Sequence, residues 1–408
     1  MKKIAHIVRR FSLEDWGGIE EGVFHLSKKL MEKGIDCEIH CTDALSKPGV
    51  ENIEGVPVHR YPSVIPTFGL SKEMKNRLER KGANSLSFPM LFSLLKERGL
   101  SLIHAHVQHR LGGVARTTAR LKNIPYVVTL HGGEMTLTQE QVQMMRDGTE
   151  HLWEWGKVFG WLLGARRTIE DADAVVSVGR DEYALMKEKY PEKEVHYVPN
   201  GIEIGRFEQK DPSLFRREVG LDNDEPYILS VSRIDPQKNQ RLLIEAFSRV
   251  DPKYRLVLIG PVTVPDYLTE LKSVIKQQGL DERVIIIEGY SAGDPRLVSA
   301  YAGASLFVLP STMEPFGIVV LEAWASKIPV VASHVGGIRG FTAHGKNVLH
   351  FQSGNGEELI DRLHQGLKDA DLRNLMIKEG WKQVQQYTWD QVAETYLQIY
   401  DRAVCRCG

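Results

Sequence analysis

Cysteine is scarce, with four in 408 residues. Cys37 and Cys41 share one strand-like segment, and Cys405 and Cys407 stand at the C-terminal end. Neither pair has a matching second pair, so the thiols read as core residues plus a loose tail, and no zinc site is expected. Long apolar runs are also missing: no stretch approaches the roughly 18 residues that a membrane-spanning helix needs. The N-terminal MKKIAHIVRRF is basic, but its apolar part is too short and too interrupted for a signal peptide. A cytoplasmic setting is therefore expected. Charge of one sign is absent too, since 52 Lys and Arg against 53 Asp and Glu leave a net −1. No global field draws the chain to nucleic acid or to an anionic bilayer. Neither a short-period repeat nor a low-complexity segment is present, which excludes solenoids.

What is present is alternation. Apolar or β-branched runs at 3–8, 36–42, 101–107, 125–130, 173–178 and 194–199 alternate with amphipathic stretches. In IEEGVFHLSKKLMEKG, for example, Ile19, Val23, Leu26 and Leu30 recur at helical spacing. The series restarts at 226–233, 254–260, 283–289, 305–311, 329–337 and 347–351, after a polar join near 203–225. Each half reads as a βαβ series, hence a parallel sheet with helices on both faces. At this length two domains of roughly 200 residues are the natural division, near residues 1–202 and 203–385. Ligands of such sheets bind outside the carboxyl ends of the strands. Glycines and polar residues gather there, and two sheets with facing ends predict one cleft.

Several residues at those ends could carry chemistry. Gly17 and Gly18 open the first helix, where amides meet a diphosphate at a positive helix end; the alternative is a tight turn needing positive φ. Arg233 ends the first strand of the second half and Lys238 follows in SRIDPQKNQ, a fork and a point charge placed to straddle a diphosphate. EPFGIVVLE sets Glu314 and Glu322 eight positions apart on a helix expected to start near Phe316, with Gly317 allowing close backbone approach. Eight positions span at most about 12 Å. That is too wide for one scissile bond between paired carboxylates, about 5–9.5 Å apart in glycosidases, and it suits the two ends of an extended molecule such as a nucleotide sugar.

His131 closes the strand before Gly132-Gly133-Glu134. The histidines of HAHVQH, His104, His106 and His109, have no nearby carboxylate and read as a polar cleft wall rather than a metal site. The segment 152–167 carries Trp153, Trp155 and Trp161, then Arg166 and Arg167. It reads as a packed helix, with a membrane-surface or sugar-contacting helix as the second reading.

The ordered set of Gly-Gly loop, TLHGGE, YVPNGI, SVSRIDPQKN and EPFGIVVLEAWASKIPVVASHVGG resembles the retaining glycosyltransferases of family GT4, over nearly the whole chain. The resemblance implies a GT-B fold: an α/β architecture of two Rossmann-like parallel-sheet domains facing across a cleft, with residues 386–408 forming a last helix that returns to the N-terminal domain. It implies that Arg233 and Lys238 hold the donor diphosphate, that Glu314 faces the donor sugar, and that Glu322 binds the ribose. Gly17, Gly18, Phe316, Gly317 and Ile318 would complete the donor site, and His131 would stand beside the reaction centre. Ser232 and the Gln237-Lys238-Asn239 run depart from the family pattern, but Lys238 stays in register.

The implied reaction is metal-independent transfer of a hexosyl group, without cofactor, from a UDP- or GDP-sugar to a sugar, lipid-linked or small-molecule acceptor. A GT-B epimerase or phosphorylase and a non-catalytic nucleotide-sugar-binding protein are the alternatives. The partners expected are the donor and the acceptor, with no nucleic acid, and a peripheral membrane contact as the second reading of the tryptophan segment.

Overall fold

The computed structural model describes residues 2–13, 16–81, 83–132, 153–208, 211–291 and 293–407. Gly133 and Glu134 of the TLHGGE motif lie outside them, as does much of the region 134–167. The chain forms two compact units, Met1–Asn200 with Trp389–Gly408, and Gly201–Thr388.

The first unit is built on eight strands: β1 Lys3–Ile7, β2 Asp36–Thr42, β3 Gly49–Ile53, β4 Val56–Tyr61, β5 Leu102–Ala105, β6 Tyr126–Leu130, β7 Ala174–Ser177 and β8 Val195–Tyr197. Their order is β3-β4-β2-β1-β5-β6-β7-β8. All neighbours run parallel except β3 and β4. β5 and β6 are buried along their whole length, as strands covered on both faces must be. One face packs Ile103 and Val128 against Leu111, Val114 and Ala115 of the helix His109–Lys122. The other packs Leu102, Val127 and Val176 beneath the helix Trp389–Cys407, whose Val392, Tyr396, Ile399, Tyr400 and Ala403 repeat at helical spacing.

The β3–β4 hairpin was not foreseen. Its two-residue turn, Glu54 at φ 45° and Gly55 at φ 94°, has both centres left-handed, the geometry that matches strand twist. Asn52 Oδ1 accepts from Gly55 N at 2.8 Å. β3 is exposed at four of its five residues, so it carries no apolar alternation to read.

The second unit has six strands: β9 Tyr227–Val231, β10 Arg255–Ile259, β11 Val284–Ile287, β12 Leu306–Leu309, β13 Val330–Ser333 and β14 Leu349–Phe351. They form an all-parallel sheet in the order β11-β10-β9-β12-β13-β14. The order reverses between β9 and β12, the place where doubly wound sheets open a ligand crevice. Leu243, Phe247, Leu271, Leu359 and Leu363 cover one face of this sheet.

Candidate active site

In the second unit the chain leaves β9 through Ser232 and Arg233, makes a 3-10 turn over Pro236–Lys238, and enters the helix Gln240–Phe247. Asp235 caps the turn by accepting from Gln237 N at 3.0 Å. Buried Gln240 holds the strand exit, donating to Ser232 Oγ at 3.0 Å and to the Arg233 carbonyl at 2.7 Å. Gln240 was not anticipated; its only signal was its place just after the cationic loop. The Arg233 guanidinium donates to Gln237 Oε1 at 3.1 Å, and its side chain stays 41% exposed. Lys238 is better buried, and its Nζ meets Glu314 Oε2 at 2.6 Å. Glu314 also accepts from Ser311 Oγ at 3.2 Å. Lys238 and Glu314 are thus brought into direct contact, and Arg233 pairs within its own loop.

The helix of EPFGIVVLE starts at Ile318, two residues later than expected. Phe316 is buried and stacks on Phe341 at 4.8 Å, so its ring belongs to the core and only its backbone is left for a ligand. Gly317 turns the chain at φ 96°, which favours glycine. A Cβ at Gly337 would lie 1.9 Å from the Pro315 carbonyl oxygen, so the Gly336-Gly337 loop can lie against this turn only as glycine. Gly337 N donates to the Glu314 carbonyl at 2.7 Å, which fixes the backbone beneath the carboxylate. Ile318 opens the helix, where first-turn amides have no partner within the helix. One turn further on, Glu322 Oε2 accepts from the hydroxyl of buried Tyr301 at 2.6 Å. Burial, with Glu322 beside it, holds the Tyr301 phenol well above its ordinary pKa, so it stays a donor.

In the first unit Gly17 caps the helix Gly18–Glu32 with φ −136°, and Gly18 is not among the positive-φ glycines. The reading of this pair as a turn needing positive φ is therefore overturned. A cavity of about 300 Å³ opens there, lined among others by Arg10, Glu20, Asn84, Gln108, His109 and His131. Buried Arg10 and Glu20 face each other at 3.4 Å. His131 directly follows β6, and burial lowers its pKa to about 4, so the ring is neutral at pH 7. Glu182, a buried residue not anticipated, accepts from Gly132 N at 3.3 Å and from Ser177 Oγ at 2.9 Å, fixing the turn after His131.

Of the HAHVQH histidines, His106 and His109 line this cavity, as the reading of a polar wall expects, and His104 does not. His104 is fully buried and His106 nearly so, whereas His109 starts a helix at φ 59°. Their companion is His6, across from His104 in the β1–β5 register. One nitrogen from each of His6, His104 and His106 lies within 4.8 Å of the others. Both nitrogens of His104 and both of His106 already have hydrogen-bond partners, so a metal would have to displace them. The tryptophan segment is not a long packed helix. Among its described residues only Lys157–Leu162 is helical, and Trp153 and Trp161 are 69% and 80% exposed.

Two family models match in succession, a glycosyl transferase 4-like domain over residues 17–201 and glycosyl transferases group 1 over residues 212–383. An uncharacterized glycosyltransferase of Methanocaldococcus jannaschii is 27% identical over the full length of both chains. A D-inositol 3-phosphate glycosyltransferase of Xylanimonas cellulosilytica is 27% identical over 96% of this chain and 93% of its own. Among solved structures, a sucrose-phosphate synthase of Thermosynechococcus elongatus superposes with a TM-score of 0.78 at 21% identity, covering both chains fully. Anabaena HepE in complex with UDP-glucose gives 0.72 at 18% identity, over 98% of this chain and 100% of its own. Two parallel-sheet units, the motifs at their strand ends and these matches agree: the chain belongs to the GT4 glycosyltransferases, enzymes of the GT-B fold.

Proposed function

We propose that this enzyme is a retaining, metal-independent hexosyltransferase that takes its sugar from a UDP- or GDP-sugar and passes it to a hydroxyl of a sugar, lipid-linked or small-molecule acceptor. The observation that carries the reading is the Lys238–Glu314 contact at 2.6 Å beside the half-exposed Arg233. Glu314 orients the ammonium at the end of β9, next to a guanidinium able to fork onto the same diphosphate. As the glycosidic bond breaks, charge grows on the leaving diphosphate, and two fixed cations stabilise it where it develops. Glu322 lies on the helix that follows Glu314 and offers its carboxylate to ribose hydroxyls, while Glu314 and the amides near Gly317 and Ile318 meet the sugar. HepE, of the same fold, holds UDP-glucose, which supports a donor of this class. On the first unit, His131 and the cavity beside it supply the acceptor side. Retention then follows from displacement on one face, with the leaving phosphate taking the acceptor proton.

The test is a panel of UDP- and GDP-sugars offered to purified enzyme in EDTA, followed by nucleotide release and by NMR of the product anomer. One nucleotide series should be turned over with retained configuration. Failure to bind either series, or full loss of turnover in EDTA restored by a divalent ion, would overturn the proposal.

A further inference from the structure

In the first unit buried His6 and His106 and half-buried His131 form a directed chain. His6 Nδ1 meets His106 Nε2 at 3.2 Å, and His106 Nδ1 meets His131 Nε2 at 3.0 Å. Burial drives the pKa of each ring downward, to about 3 for His6 and about 4 for His131, so near neutrality each carries one N–H and one lone pair. A neutral His106 can donate to only one neighbour and must accept from the other. Two arrangements follow, and they differ at the ends of the chain.

If His106 carries its proton on Nδ1, it donates to His131 Nε2 and accepts from His6 Nδ1–H. His131 is then protonated on Nδ1, and His6 Nε2 is a bare lone pair. In the reverse arrangement His131 donates from Nε2, His106 donates from Nε2 to His6, and His6 Nε2 bears a proton. That nitrogen is buried and has no hydrogen-bond partner. An orphaned buried N–H is the rarer and costlier outcome, so the first arrangement is favoured. His104 exerts no opposing pull. Its nitrogens meet Thr129 Oγ1 and the Tyr400 hydroxyl, each at 2.7 Å, and hydroxyls accommodate either tautomer.

We infer that His106, at the head of a chain whose buried end is His6, is a positioning residue that locks His131 as the Nδ1–H tautomer, so that it presents a hydrogen-bond donor, not a base, to the ligand in the adjoining cavity. His131 Nδ1 has no partner among the described residues, and the ring lines that cavity. The ligand atom it meets is then an oxygen lone pair, of a sugar hydroxyl or a phosphate. Proton removal from the acceptor falls to another group, as displacement assisted by the leaving phosphate requires. This inference rests on the proposed placement of His131 in the active site.

The experiment is NMR of the full-length protein labelled with 15N-histidine at pH 7. His131 is assigned by difference against His131→Gln, and the protonated nitrogen is read from the ring coupling pattern. Wild type should show Nδ1–H, and an Nε2–H or mixed ring would overturn the inference. His106→Phe, which cuts the chain next to His131, should let the ring become mixed and lower kcat about tenfold or more with donor KM nearly unchanged, whereas His6→Phe moves the orphaned nitrogen to His106 Nε2 and should keep Nδ1–H. Retention of pure Nδ1–H in His106→Phe would overturn the role of the chain. Tyr400→Phe, which removes a buried hydroxyl of the same core without touching the chain, should leave the His131 tautomer as it is. If either phenylalanine variant fails to fold, the wild-type spectrum still decides. If His131→Gln keeps full turnover, the placement of His131 in the site fails, while the tautomer result stands by itself.

Discussion

Glu314 and Glu322 have different surroundings, and under the proposed function the difference would divide their labour. Glu314 touches a cation and Glu322 a neutral phenol. Truncating Glu322 removes an ionised acceptor, and hydrogen bonds to charged groups contribute about 1.5–3 kcal/mol. Glu322→Ala should therefore weaken nucleoside diphosphate binding roughly tenfold to hundredfold by calorimetry. Tyr301→Phe removes the buried hydroxyl but leaves the carboxylate, and should weaken it far less, which separates ligand binding from damage to the core. Glu314→Ala frees Lys238 from its anchor, and should cut kcat while altering free nucleotide affinity little. Equal losses of nucleotide affinity in the two alanine variants would count against this division. At this scale the sequence was most legible, because both glutamates, Phe316 and Gly317 lie on one short local segment whose geometry its own residues dictate. The Lys238 contact is 76 residues long in sequence and could be read only as two charges near the same ligand.

Among elements, the alternation of strands and helices was readable because parallel strands buried on both faces leave continuous apolar runs. The β3–β4 hairpin was missed because an exposed edge strand has no such run and its turn is Glu-Gly, not Asn-Gly. The histidine chain was hidden for another reason. His6 and His106 are 100 residues apart, and only the pairing of β1 with β5 brings them together. The tryptophan segment misled through composition, since its aromatics suggested a packed face. In the structure Trp153 stacks on Phe68 at 5.3 Å, both more than half exposed, and Val158, Trp161 and Leu162, further along the same segment, are exposed as well. These exposed side chains make the peripheral membrane contact testable. An indole that loses about 100 Å² of wetted surface in a lipid interface gains about 2.5 kcal/mol. The protein should co-sediment with phospholipid vesicles, and Trp153→Ser with Trp161→Ser should lower partitioning at least tenfold while turnover on a soluble acceptor persists. Equal sedimentation of the two forms would remove the patch from that role.

At the scale of the whole molecule, the two units differ in what acid does to them. The first unit holds buried His6, His104 and His106 and half-buried His131 as neutral rings, with loss of hydration the leading cause in each; nearby His40 further depresses His6, and neighbouring rings of the cluster further depress His104 and His106. The second holds His350, lowered to about 4, and His344, lowered less far. A histidine whose folded pKa lies below the ordinary 6.5 costs nothing above that pH, where both states are neutral. As pH falls below 6.5 the unfolded chain takes up a proton that the folded one refuses, so stability drops until the folded pKa is reached. At about 1.36 kcal/mol per pH unit, each ring removes up to about 2 kcal/mol by pH 5. The first unit should therefore lose stability sooner. Hydrogen exchange at pH 7 and pH 5, corrected for intrinsic rates, should show a larger loss of protection in peptides over β1, β5 and β6 than over β9, β10 and β12. Exchanging His6 for phenylalanine removes one of the titrating rings, and should shrink that difference. Equal loss in the two sheets, or none in the first, would mean that the buried rings take up protons without opening the strands that hold them.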